Sequence, residues 1–478
     1  MKKLSFFLVF LLCLPIFCVG CSDQKQKENF YKISAVYDDQ TQTLTCEQEV
    51  GFQNQTDNVL TKLCFFLYAN TFAEGREAVG KANFNKAYLH GESYGNITIM
   101  GAQVDMAETT FVVNEGENIL SVNLGRELFP DERAKIKLEY VVQLANINHR
   151  LGYGDDTTNL ANFFPILCVY EKGFVQNEFS QYGDPFYSDV ANFEVELSFP
   201  QGYIVASSGD VVMQNDTKLV AKAEKVRDFA MVLSKKFDVL TDQVDGIEVK
   251  YYFYDDERAN EHLQTAKLAM QCFDEMFGSY PYKQVSVVKN NFCFGGMEYP
   301  NLVMISDQVA DDSYDYVIVH EIAHQWWYGV VGNNEFDEAW IDEGLTEYST
   351  ALFFEKYDKY GLDYETIVQN AHDTYVNFVK VYTDILGDVD QKMDRNLQEF
   401  DTEPEYVNCT YTKGVLMFDS LRSTLGDRKF FKCLKNYFQQ FSFQNVGRQD
   451  VISCFSRNGG RNLQGFFNAW LDGKVIVK

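Results

Sequence analysis

The chain has 478 residues, 46 % hydrophobic and 15 % aromatic, enough to bury large cores in two to three domains. Lys and Arg total 42 against 69 acidic residues, a net charge of −27, which argues against nucleic acid as a partner because phosphate binding needs a basic stripe. Eight Pro and 31 Gly exclude a fibrous or linker-dominated chain.

Residues 1–20 read as a signal peptide. Lys2 and Lys3 precede an apolar run from Leu4 to Val19 that Pro15 interrupts, too short and broken for a membrane span. The run ends in Gly20-Cys21, a small residue before Cys as at a bacterial lipoprotein cleavage site, so Cys21 is the expected lipid anchor and residues 21–29 a polar tether. An exported protein on the extracytoplasmic face of the cell membrane follows; the alternative is ordinary signal cleavage and secretion. Eight cysteines remain beyond this segment, with no CxxC pair among them, and several sit in apolar runs as small buried hydrophobes.

Residues 30–245 read as a β domain. Tyr31–Val36, Ala134–Val142 and Asn192–Ser198 alternate apolar and polar side chains, the period of half-buried antiparallel strands. After a break near Gly246 the pattern becomes mixed. Ile247–Tyr254 and Gln284–Val288 are expected strands, and Ala259–Phe277 a helix ending at Gly278. Tyr314–Gly329 and Ala339–Tyr357 are expected helices. Helical segments dominate from Leu362 onward, broken at Gly387, Gly414, Gly426 and Gly459-Gly460. The fold class is α+β multidomain, with residues 246–478 as the second, mainly helical domain.

The helix predicted over 314–329 carries His320-Glu321-Ile322-Ala323-His324. Two imidazoles four residues apart lie about 40° apart around a helix axis and reach one metal from the same side. Glu321 stays off that metal, near where a water would sit. Eighteen residues separate His324 from Glu343, enough for a turn and a second helix to bring in a third ligand. Two His and one carboxylate leave a Zn²⁺, one per chain, with net positive charge and an open position, the make-up of a hydrolytic centre.

The stretch from His320 through Gln325-Trp326-Trp327-Tyr328 to Gly329, followed by Trp340-Ile341-Asp342-Glu343-Gly344, resembles the M1 family of zinc aminopeptidases. Gly295-Gly296-Met297-Glu298-Tyr299-Pro300 resembles that family's Gly-x-Met-Glu-Asn segment, and Tyr411-Thr412-Lys413-Gly414 its Tyr-x-Lys-Gly segment. Phe164-Pro165 and Gly183-Asp184-Pro185-Phe186 extend the likeness into the β-rich half. The resemblance implies a β-saddle-like N-terminal domain packed on a thermolysin-like catalytic domain. Tyr299 departs from the family's Asn. Many members continue into further C-terminal domains, so a more open cleft, or closure by another chain, is expected here.

The roles implied are those peptide hydrolysis requires. Glu321 is the general base and then acid. The Tyr411 phenol donates a hydrogen bond to the carbonyl oxygen as it gains charge. Glu298 pairs with the ammonium of a free peptide N-terminus and rejects internal bonds. Gly295, Gly296 and Met297 let an extended peptide approach in strand fashion. Glu347 lies four residues after Glu343, on the face from which a carboxylate reaches the far nitrogen of a ligand His; a solvated charge is the alternative. The activity expected is removal of N-terminal residues from peptides, against two rivals: a thermolysin-type zinc endopeptidase and a non-catalytic peptide-binding lipoprotein.

Overall fold

A computed structural model describes residues 28–477; the signal segment and Cys21 lie outside them. The N-terminal half is organised on an eight-stranded sheet. Its centre is β1 (Asn29–Asp38), β2 (Thr43–Gln53), β3 (Arg133–Gln143) and β4 (Ala191–Ser198). The alternation seen in the sequence is the alternation of burial: Tyr31, Ile33, Ala35 and Tyr37 of β1 all point into one core. β1 pairs antiparallel with β2 but parallel with β4, so the sheet is not wholly antiparallel as expected. The register Ile33↔Val195 keeps both apolar sets on the buried face in either orientation, which is all that side-chain alternation specifies. Two four-stranded sheets complete this half.

The second half begins with a five-stranded sheet, in spatial order β5 (Asp238–Val244), β6 (Ile247–Phe253), β7 (Gln284–Asn290), β9 (Leu302–Ser306) and β8 (Gly296–Met297). β6, β7 and β9 run parallel, and between β6 and β7 the chain crosses through helix α1 (Ala259–Phe277). The Asp245-Gly246 turn joins β5 to β6 with both residues at positive φ, 51° and 86°, so this sheet starts at Asp238. β7 and β9 are buried on both faces for a visible reason. Val285, Val287, Val303 and Ile305 join the core of the helical half; Val288, Leu302 and Met304 join the core of the β half. The sheet is the shared floor of both domains, and parallel strands buried on two sides read as unbroken hydrophobic runs.

Helix α2 (Asp311–Ala323), helix α3 (Glu343–Lys356), helix α4 (Tyr364–Leu386) and helix α5 (Lys413–Leu425) pack on the far side of that sheet. α2 stops at Ala323, six residues short of the expected end at Gly329. The Gln325 side chain accounts for this. Its Oε1 accepts the Asn301 N–H at 2.7 Å and its Nε2 donates to the Tyr299 carbonyl at 3.2 Å, so the chain turns away to hold the loop beside β8. The residues expected to begin the second helix, 339–342, form a turn, and Glu343 is the first residue of α3. A carboxylate there also meets the positive end of the helix dipole. The eight described cysteines are free and buried. Among the described residues no helix is long and apolar enough to cross a membrane.

Candidate active site

α2 and its C-cap residue present His320 and His324 toward the first turn of α3. The two Nε2 atoms are 3.2 Å apart, and the Glu343 Oε2 lies 3.1 Å from the His324 Nε2 and 3.5 Å from that of His320. Corners of a tetrahedron around a metal with bonds of about 2.05 Å lie about 3.3 Å apart. The triangle therefore fits a zinc ion in size and donor chemistry. These three side chains are all buried.

Each imidazole is fixed from behind. The His320 Nδ1 stands 2.7 Å from the Glu347 Oε2, while the other Glu347 oxygen accepts the Tyr316 hydroxyl at 2.6 Å. The His324 Nδ1 stands 3.0 Å from the Trp327 carbonyl oxygen and 3.1 Å from the Thr346 hydroxyl. Donation from the His324 Nδ1 to the Trp327 carbonyl leaves its Nε2 lone pair aimed at the common point, and the Glu347 carboxylate stands beside the His320 Nδ1 as an ion-pair partner. Glu347 was legible from its i+4 spacing to Glu343. Thr346 and the Trp327 carbonyl gave no signal, because a hydroxyl on a buried helix face and a backbone oxygen look like any other.

The electrostatics draw positive charge to the same point. Burial opposes a charged imidazole, yet Glu298 and Glu343 raise His324 to about 10. Burial pushes the Glu343 carboxyl up; the His324 charge and the hydrogen bonds of both imidazoles outweigh it and hold it near 2. Glu321 goes the other way, raised by burial to about 7 against the pull of His320 and His324.

These residues line a cavity of about 300 Å³ together with Gly295, Gly296, Glu298 and Tyr411. Larger hollows, about 520 and 610 Å³, lie elsewhere and contain none of the motif residues. Gly296 is pressed against the base: a Cβ there would stand 2.3 Å from the Glu321 Oε1. Gly295 has open space at the same position. β8, which holds Gly296 and Met297, is an edge strand, paired only with β9 through Gly296↔Ile305 and Met297↔Met304. Glu298 is 4 % exposed and its Oε1 has no hydrogen-bond partner. Tyr299 points away, its hydroxyl donating to Asn162 at 2.6 Å in the joint core. The Tyr411 hydroxyl donates to the second oxygen of Glu343, and its ring lies over His320 at 6.0 Å. Tyr411 sits in a single π-helical turn, Asn408–Thr412, where an extra residue per turn swings the phenol out toward the cavity.

The β half contributes Asp184, which the sequence carries within Gly183-Asp184-Pro185-Phe186, and Arg150, which the sequence did not single out. Arg150 donates to Asp184, and both line the cavity. They are 34 residues apart on loops of one domain and converge only on folding, so spacing was silent about them.

A two-domain α+β molecule with a His-His-Glu triangle and a carboxylate at its side is built as a metallopeptidase. Residues 261–470 match the Peptidase family M1 domain. It is similar to aminopeptidase B of Rattus norvegicus, 29 % identical over 220 residues, which is 42 % of this chain and 32 % of that protein. It is also similar to aminopeptidase N of Streptomyces lividans, 26 % identical over 255 residues, 48 % of this chain and 28 % of that protein. The matches span about a third of the length of these curated relatives. Among solved structures, an M1 zinc metallopeptidase from Deinococcus radiodurans superposes with a TM-score of 0.67 at 16 % identity, covering 94 % of this chain and 95 % of that one. A variant of the Deinococcus protein was crystallised with a Tyr-Ser-Ala substrate.

Proposed function

We propose that this chain is a zinc aminopeptidase that removes N-terminal residues from peptides. His320, His324 and Glu343 hold the metal. Zinc at that position supplies Lewis acidity, lowering the pKa of water toward about 7 and polarising the scissile carbonyl. The rest is done by this chain's own side chains. Glu321, beside the metal triangle and lining the same cavity, takes the proton of the attacking water and returns it to the departing amine. Tyr411 turns its hydroxyl from Glu343 to the carbonyl oxygen as negative charge builds there, a contribution of about 2.7–4 kcal/mol for donors of this kind. The edge of β8 receives the extended peptide, with Gly296 allowing the backbone to lie against Glu321.

The observation that carries the reading is Glu298. A buried carboxylate with an oxygen lacking any partner, opening on the cavity beside His324, needs a cation. The ammonium of a free peptide N-terminus supplies one, and an internal peptide bond does not. The test is one peptide offered with a free and an acetylated N-terminus, with and without chelator. The account predicts chelator-sensitive cleavage of the free form alone. Equal cleavage of both forms indicates an endopeptidase and defeats the proposal.

We place the protein outside the cytoplasm, tethered to the membrane through Cys21. Lys2-Lys3, the apolar run after them and the Gly20-Cys21 junction support this. A Cys21→Ala variant is then found in the soluble fraction; membrane retention of that variant refutes the anchor.

A further inference from the structure

Beside the metal triangle the protein buries more carboxyl groups than its visible partners satisfy. Glu335, on a short helical turn (Glu335–Glu338), is 2 % exposed, and neither of its carboxylate oxygens accepts a hydrogen bond. Native proteins almost never leave a buried carboxylate in that state without an ion or water to meet it. The side chain is aimed at two others: Asp184, Glu298 and Glu335 each bring an oxygen to within 4.8 Å of one another. Arg150 offsets the charge of Asp184 through one of its oxygens. Glu298 and Glu335 remain, two carboxyl groups facing one space; burial and the neighbouring carboxylates push both well above the usual carboxylate range, so a cation bound there displaces their protons.

We propose that Asp184, Glu298 and Glu335 form a second cation site, made only of oxygens, that takes Ca²⁺ when no peptide occupies the cavity. The donor set is that of a hard ion and contains no nitrogen or sulfur to favour zinc. Ca–O bonds of about 2.3–2.6 Å place ligand oxygens up to about 5 Å apart, which this trio satisfies; Mg²⁺, with bonds of about 2.0–2.1 Å, requires a tighter set. Access is through the cavity, because Asp184 and Glu298 line it. Since Glu298 is also the carboxylate assigned above to the peptide's ammonium, calcium and substrate compete for it. This part rests on the aminopeptidase reading; the existence of the site does not.

The test uses the zinc-loaded full chain. Equilibrium dialysis with ⁴⁵Ca²⁺ is expected to show one calcium per chain in addition to the zinc, and calcium is expected to raise the melting temperature. Glu335→Gln should lose both responses while keeping its zinc, and Glu335→Asp should weaken calcium binding at least tenfold. Adding calcium should raise KM for a free-amine peptide several-fold with kcat unchanged. No bound calcium in the wild type, an equal response in Glu335→Gln, or tighter binding of Mg²⁺ than Ca²⁺ overturns the site. Calcium bound with KM unchanged overturns the competition alone. Hydrolysis of the same peptide in calcium-free buffer reports separately on the aminopeptidase reading.

Discussion

Adding one methyl group at Gly296 is the sharpest perturbation the site offers. An alanine Cβ there would stand 2.3 Å from Oε1, 2.5 Å from Cδ and 2.6 Å from Cγ of Glu321. Ordinary carbon contacts begin near about 3.5 Å, so strand or base must move by about 1 Å. β8 is held through Gly296↔Ile305 and Met297↔Met304, while Glu321 is fixed within the buried turn that carries both His ligands, so the side chain of Glu321 yields first. A misplacement of about 1 Å in a reacting group costs about a hundredfold in rate. Gly296→Ala is therefore expected to lower kcat about a hundredfold with zinc content unchanged. Gly295→Ala, which meets nothing within 4 Å, should stay within a few-fold of wild type. In a Glu321→Ala background the clash has no partner, and Gly296→Ala should cost little more. Steady-state kinetics on wild type and the four variants, with zinc analysis, decides it. Wild-type turnover in Gly296→Ala, or full additivity with Glu321→Ala, refutes the reasoning.

Glu347→Ala removes the partner of His320 and of Tyr316 together. Zinc affinity, measured by competition with a chelator, is expected to fall 10–100-fold, the usual cost of losing a carboxylate behind a ligand His. Asp228, bonded to Asn162 in the joint core, gives a pH signature. Burial raises its carboxyl from 3.8 to about 7 against hydrogen bonds from Phe229 and Asn162, so the folded protein binds that proton more tightly than the unfolded chain. Its stabilising contribution is complete below about pH 4 and is lost as pH rises through about 7, an upper figure of about 4 kcal/mol from roughly 1.4 kcal/mol per pH unit. Urea midpoints at pH 5 and 8 should therefore differ more in wild type than in Asp228→Asn; equal differences contradict the assignment.

The residues that meet the metal were legible because chemistry fixes their spacing. HExxH puts two imidazoles on one helical face, and the eighteen-residue gap to Glu343 spans the turn that the structure shows. The strands were legible from their alternation, and α1 from its periodicity and terminal Gly278. The failures share one cause, tertiary contacts that leave no local mark. α2 ends early because Gln325 is recruited to hold the loop before β9, although Trp326, Trp327 and Tyr328 continue an apolar pattern. The parallel pairing of β1 with β4 is set by chain path, and alternation is blind to direction. Glu335 and Arg150 look like surface charges in sequence, and Asp184 was legible only as part of Gly183-Asp184-Pro185-Phe186; folding brings them together beside Glu298.

The central claim is that two imidazoles and one carboxylate from neighbouring helices hold a single zinc. Zinc K-edge X-ray absorption on the purified protein, with metal analysis of the same sample, tests it most directly. The account predicts one zinc per chain with two imidazole nitrogens and oxygen for the remainder, and an imidazole contribution that drops by half in His324→Ala. A metal-free protein, a sulfur-ligated zinc, or a spectrum unchanged in that variant contradicts it.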